Sequence, residues 1–168
     1  MKFNWLKIIV ISIALIITSS AANAFDYQDW IPLLPENIGE MEKTDEPSGM
    51  NREESGQSWS VLEQKYSDKQ GNSLSLTILT GSDAPGIKEF KMMQQFNKDT
   101  EEETIKPVDV QGLESVLAID KKGGENSLLI PAADKTLVII STSAFDSEDE
   151  MISLADDVPV EDIADSIE

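Results

Sequence analysis

Apolar residues recur along this chain with two spacings, every second position and every third or fourth, and the switches between them mark its elements. Residues 73–80 (SLSLTILT) alternate: Leu74, Leu76 and Ile78 share one face and Ser73, Ser75 and Thr77 the other, until Leu79 breaks the pattern. A half-buried antiparallel strand explains that alternation. Residues 59–66 (WSVLEQKY) read as its hairpin partner through SDKQGN, whose Asp68 and Gly71 suit a short connection. Four further strands are expected near 104–110, 113–119, 126–131 and 136–142. Lys121, Lys122, Gly123 and Gly124 form one hairpin turn between them, and residues 131–135 another. The run Leu137 to Ile140 is apolar on both faces, so that strand belongs in the middle of the sheet.

The longer spacing predicts helices. Ile87, Phe90, Met93 and Phe96 step by three through 87–98, with Met92 widening the stripe, Ser82 or Asp83 as cap and Pro85 in the first turn. Tyr27, Trp30, Ile31 and Leu34 give a short amphipathic helix over 26–34, docked on its own domain, with Pro32 early in it. The aromatics Tyr27, Trp30, Trp59, Tyr66, Phe90 and Phe96 read as core by their placement on these faces. Residues 43–58 are polar and hold Pro47, Gly49 and Gly56; they are a loop or an edge strand.

Residues 143–168 carry ten carboxylates and no basic side chain. Read as a calcium loop starting at Asp146, the segment puts Met151 where the sharp turn needs glycine and Asp157 where a bidentate glutamate is usual. Helices fit more of the residues. Ser147 and Glu150 form a capping box, and Glu148, Asp149 and Glu150 fill the first turn, where each is worth ~0.3–1 kcal/mol against the helix dipole. Met151, Leu154, Ala155 and Val158 make one apolar stripe; Val160, Ile163, Ala164 and Ile167 make a second. The stripes are out of phase by about 180°, and a break at Pro159 lets both face the core. Helices are therefore expected at 147–158 and 160–167, with Asp157 capping the second.

Strands in runs with few helices between them indicate an α+β domain: one antiparallel sheet of five to seven strands with amphipathic helices packed on one face. Residues 78–90 and 139–151 align at an offset of 61, which suggests a duplicated unit.

The first 24 residues read as a leader rather than as part of that domain. Lys2 and Lys7 precede an apolar run from Ile8 to Ile17 interrupted only by Ser12, and Ala22-Asn23-Ala24 supplies small residues before a cleavage point between Ala24 and Phe25. The run is short of the roughly 20 residues that span a bilayer. A single domain of residues 25–168 is expected to be exported, most simply to a bacterial periplasm or else secreted, and to leave the membrane on cleavage. Without cysteine there is no lipid anchor of the lipobox kind, and stability rests on packing.

Charge and composition narrow the chemistry. Removing Lys2 and Lys7 from the 13 basic residues leaves 11 against 32 acidic ones, a net of −21. Such a field repels nucleic acid and anionic membranes and suits basic proteins or cations. With no histidine and no cysteine, the chain builds no Ser-His-Asp or Cys-His centre, Cys/His zinc site or thiol redox pair. Arg52 is the single arginine, so no arginine clamp for phosphate is expected, and no cofactor motif is present. Lys121, Lys122 and Lys135 are isolated positive points that discourage edge-to-edge pairing. The resulting expectation is a non-catalytic binding or accessory protein with a basic exported partner and no cofactor. Weak divalent-cation binding and carboxylate-dependent hydrolysis are the alternatives; among 32 carboxylates, spacing selects no catalytic pair.

Overall fold

Residues 26–54, 57–81 and 84–167 are described by the structure, a computed structural model. The expected leader 1–24 with its expected cleavage residues Ala22, Ala24 and Phe25, and the expected cap residues Ser82 and Asp83, lie outside the described residues. Ten strands form among them: β1 Asn37–Ile38, β2 Met41–Lys43, β3 Ser48–Glu54, β4 Gln57–Ser67, β5 Ser73–Thr80, β6 Lys98–Asp99, β7 Glu103–Val110, β8 Leu113–Asp120, β9 Asn126–Ala133 and β10 Thr136–Thr142. They join in one antiparallel sheet, ordered β1-β2-β4-β5-β10-β9-β8-β7-β6, with β3 also paired to β4. The expected five to seven strands are thus ten. The difference is β1, β2 and β6, each two or three residues long and too short to show a hydrophobic period.

The long strands fall where alternation put them, and β10 lies between β5 and β9 with Leu137 to Ile140 buried on both faces. Within residues 43–58, Ser48–Glu54 form the edge strand β3. The outer side of β4 is shared, β2 taking Tyr66 and Ser67 while β3 runs from Ser48 opposite Glu63 to Glu54 opposite Gln57.

Helices cover both faces, not one. On the first face a 3-10 helix (Tyr27–Leu33), α2 (Glu148–Leu154) and α3 (Val160–Asp165) pack on Leu62, Tyr66, Leu74, Leu76, Ile78 and their neighbours. On the second, α1 (Ile87–Met93) sets Ile87 and Phe90 against Leu79, Val116, Leu129, Leu137 and Ile139. Leu79, which broke the alternation of β5, belongs to this second patch; an apolar patch on the outer face requires its own cover. The offset of 61 carries α1 onto α2, but the aligned Ile78 and Ile139 point to opposite faces and the two helices pack on opposite sides of the sheet.

Three local expectations change. The first helix is 3-10 rather than α, capped by the Asp26 carboxylate accepting from the Gln28 N–H. It docks on its own domain as expected: Trp30 is 1% exposed and its indole N–H donates to Ser166 Oγ at 3.2 Å. Helix α1 starts at Gly86, in the left-handed region at φ 98°, whose N–H donates to the Glu89 carboxylate. It stops at Met93 instead of reaching 98, because Lys98 and Asp99 are drawn into pairing with β7. Phe96 is consequently 55% exposed and is not a core aromatic, while Met92, within α1, is 51% exposed and does not widen the buried stripe.

The tail forms the two helices, separated by a 3-10 turn over Ala155–Asp157 and by Pro159. Both stripes are buried: Met151, Leu154, Ala155 and Val158 from one, Val160 and Ile163 from the other. Ser147 Oγ accepts from the Glu150 N–H at the start of α2. Asp157 does not cap α3. Its carboxylate accepts the Gly39 N–H at 2.7 Å and ties the β1–β2 turn to the tail.

Candidate interaction surface

With their apolar stripes spent on the core, α2 and α3 turn their acidic residues outward by periodicity alone. Asp149 on α2, Asp156 in the 3-10 turn between them, and Glu161, Asp162 and Asp165 on α3 are exposed, and none enters an ion pair among the described residues. Glu148 is the exception, paired with Lys106 of β7. The result is a carboxylate surface held on rigid elements. It is not a metal cage: among the described residues, no three or more carboxylates come together closely enough to hold an ion. The calcium-loop positions are dispersed, Glu150 bonded to Ser147 and Asp157 to Gly39.

The expected basic points take part in ion pairs near the β6–β7 hairpin. Lys121 pairs with Asp99 and Lys122 with Glu102, while Lys98 pairs with Glu103. The Lys121 ammonium, followed by the Thr104 hydroxyl, holds the Asp99 carboxyl below the usual range. Lys135 acts through its backbone: its carbonyl accepts from the Gly81 N–H at 2.9 Å and from Thr80 Oγ1 at 3.1 Å.

Two features escaped pattern reading. Glu125, immediately before β9, has its carboxyl pushed up by burial and, secondarily, by the charge of Glu63 on β4. Strands β5 and β10 lie between β4 and β9, so only the assembled sheet brings the charges into range. The other is a cavity of about 430 Å³ between the β1–β2 and β4–β5 turns, lined by Glu40, Glu42, Lys43, Thr44, Asp68 and Lys69. Its lining mixes both signs of charge and holds no aromatic side chain, which gives it little basis for selecting a small ligand.

A ten-stranded antiparallel sheet with helices on both faces is the class that the fold defines. No protein-family model, curated protein or solved structure matches the chain. Among the described residues no helix is long and apolar enough to cross a membrane.

Proposed function

We propose that this chain is an exported, non-catalytic binding or accessory protein of the bacterial periplasm, and that it engages a basic protein through the α2–α3 surface. The observation that carries the reading is the exposed set Asp149, Asp156, Glu161, Asp162 and Asp165, fixed on helices whose apolar faces are buried. Preorganised charge of one sign raises the encounter rate with a partner of the other and fixes its orientation. The absence of histidine and cysteine supports the non-catalytic part.

The test begins with affinity capture of the tagged protein from its native periplasm. The captured partner is then titrated against it from low to physiological salt. Association should weaken steeply as the Debye length contracts to about 8 Å. The triple variant Asp156→Asn, Glu161→Gln, Asp162→Asn should slow association and flatten that salt dependence. A partner whose binding ignores both changes would refute the electrostatic reading.

A further inference from the structure

The two ends of the sheet are finished differently. At one end β7 is shielded. β6 pairs with it at Lys98–Ile105 and Asp99–Thr104, Pro107 in mid-strand has no N–H to offer, and three lysine–carboxylate pairs crowd the hairpin. These are the devices that keep a sheet edge from templating another strand. At the other end β3 pairs with β4 alone. It spans seven residues, SGMNREE, without proline or lysine. Among the described residues, and leaving Arg52 aside, its backbone makes no backbone hydrogen bond except to β4.

The strand is nonetheless held in place. The Tyr27 ring lies over Gly49, the Tyr27 N–H donates to Asn51 Oδ1 at 3.0 Å, and Asn51 Nδ2 donates to Asp26 Oδ1 at 2.9 Å. These contacts act from one face and leave an ordered edge about 23 Å long, at ~3.3 Å per residue.

Charge identifies the occupant. Asp26 is bonded to Asn51 of the strand, exposed Asp45 and Glu46 lie in the loop just before it, and exposed Glu53 lies on it. The Asn51 amide and then the Gln28 N–H hold Asp26 below the usual carboxylate range, so it stays charged. Arg52 is the one base on the strand. A second copy of the chain would bring a net charge of −19 or more against the same sign.

We propose that the open edge of β3 receives an extended, lysine- or arginine-bearing segment of the partner, which adds to the sheet as an eleventh strand. This rests on the basic-partner reading and gives it a second point of attachment. Backbone hydrogen bonds supply the pairing, and alternate basic side chains reach the surrounding carboxylates.

The probe is a ten-residue peptide alternating lysine and valine, titrated at low salt into the purified protein. Companions carry glutamate for lysine, or N-methyl groups on alternate amides. The parent should bind and give an isotope-edited amide signal of added strand. The glutamate peptide should not bind, and N-methylation should cost tenfold or more in Kd. On the protein side, Met50→Pro and Asn51→Pro are compared. One removes an outward N–H and the other a ladder bond to β4, and thermal unfolding identifies the variant that keeps the fold. That variant should lose the peptide tenfold, while the α2–α3 triple variant keeps it within about twofold.

Binding unaffected by N-methylation, or no binding of the lysine peptide at all, would overturn strand addition. Peptide binding abolished by the triple variant but not by the edge proline would overturn it too, while leaving the acidic-surface reading intact. Loss of that reading shows separately, in a captured partner indifferent to salt.

Discussion

A methyl group added at Gly49 has no room. An ideal Cβ there would lie 2.3 Å from Tyr27 Cδ2, 2.6 Å from Tyr27 Cγ and 2.7 Å from the Val61 carbonyl oxygen. The ring atoms closest to it are those nearest the Tyr27 backbone, which cannot swing away as a flexible chain tip would. Val61 belongs to the ladder partner β4. Relief therefore requires the 3-10 helix to shift, and with it Trp30 and its hydrogen bond to Ser166. Overpacking of this kind costs about 1–3 kcal/mol. Alanine recovers ~0.4–1 kcal/mol by restricting the unfolded chain. Gly49→Ala should thus destabilise the protein by a net of about 1–2 kcal/mol, read by urea unfolding through tryptophan fluorescence with an unchanged m-value. Tyr27→Ala removes the ring but not the Val61 oxygen. The double variant should therefore be less destabilised than the sum of the singles, with a coupling of roughly 0.5–3 kcal/mol. A neutral Gly49→Ala, or a coupling of zero, would refute the close approach of helix and edge strand.

Three further outcomes follow from the same structure. Ser147→Ala removes the cap of α2 and should cost about 1 kcal/mol in urea unfolding; no loss would mean that the Glu150 N–H finds another acceptor. Tyr66, fully buried, donates its hydroxyl to the Pro35 carbonyl at 2.9 Å, and burial followed by the charge of Glu36 pushes its phenol well above the ordinary value. The unfolded chain loses this proton above about pH 10 while the folded one keeps it, so stability should fall as pH rises past that point. Tyr66→Phe should lack that part of the slope, and parallel curves for the two proteins from pH 9 to 11 would contradict it. Glu125 has a raised carboxyl in the fold, which then holds its proton more tightly than the unfolded chain does. Stability should decline as pH rises from the ordinary glutamate range through the raised value, and Glu125→Gln should remove that decline in pH-dependent thermal unfolding.

Much of the fold was legible in local pattern. The alternation in SLSLTILT and the two-sided apolar run of LVII gave β5 and the central β10 with their faces. The phase reset at Pro159 gave two helices with both stripes buried. Where a residue's fate depended on a distant partner, pattern reading failed. Phe96 keeps the three-residue step but leaves the helix, because Lys98 pairs with Ile105 of β7. Asp157 is well placed to cap α3 but is taken by Gly39, 118 positions earlier. The candidate surfaces divide the same way: periodicity alone turned the α2–α3 carboxylates outward, while SGMNREE shows locally that it lacks proline and lysine but not that it ends the sheet.

What the sequence by itself determined is the position of the long strands and of the tail helices, their inward faces, the acidity of the surface and the exclusion of histidine and cysteine chemistry. Those properties follow from side-chain period and composition, which each segment carries without its neighbours. Tertiary structure alone decided that helices cover both faces, that β1, β2 and β6 form at all, and that Glu63 acts on Glu125 across two intervening strands. It also decided that β3 remains open while β7 is shielded. Each of these depends on which backbone groups and charges meet after the chain has closed, and separations of tens of residues leave no local periodic trace.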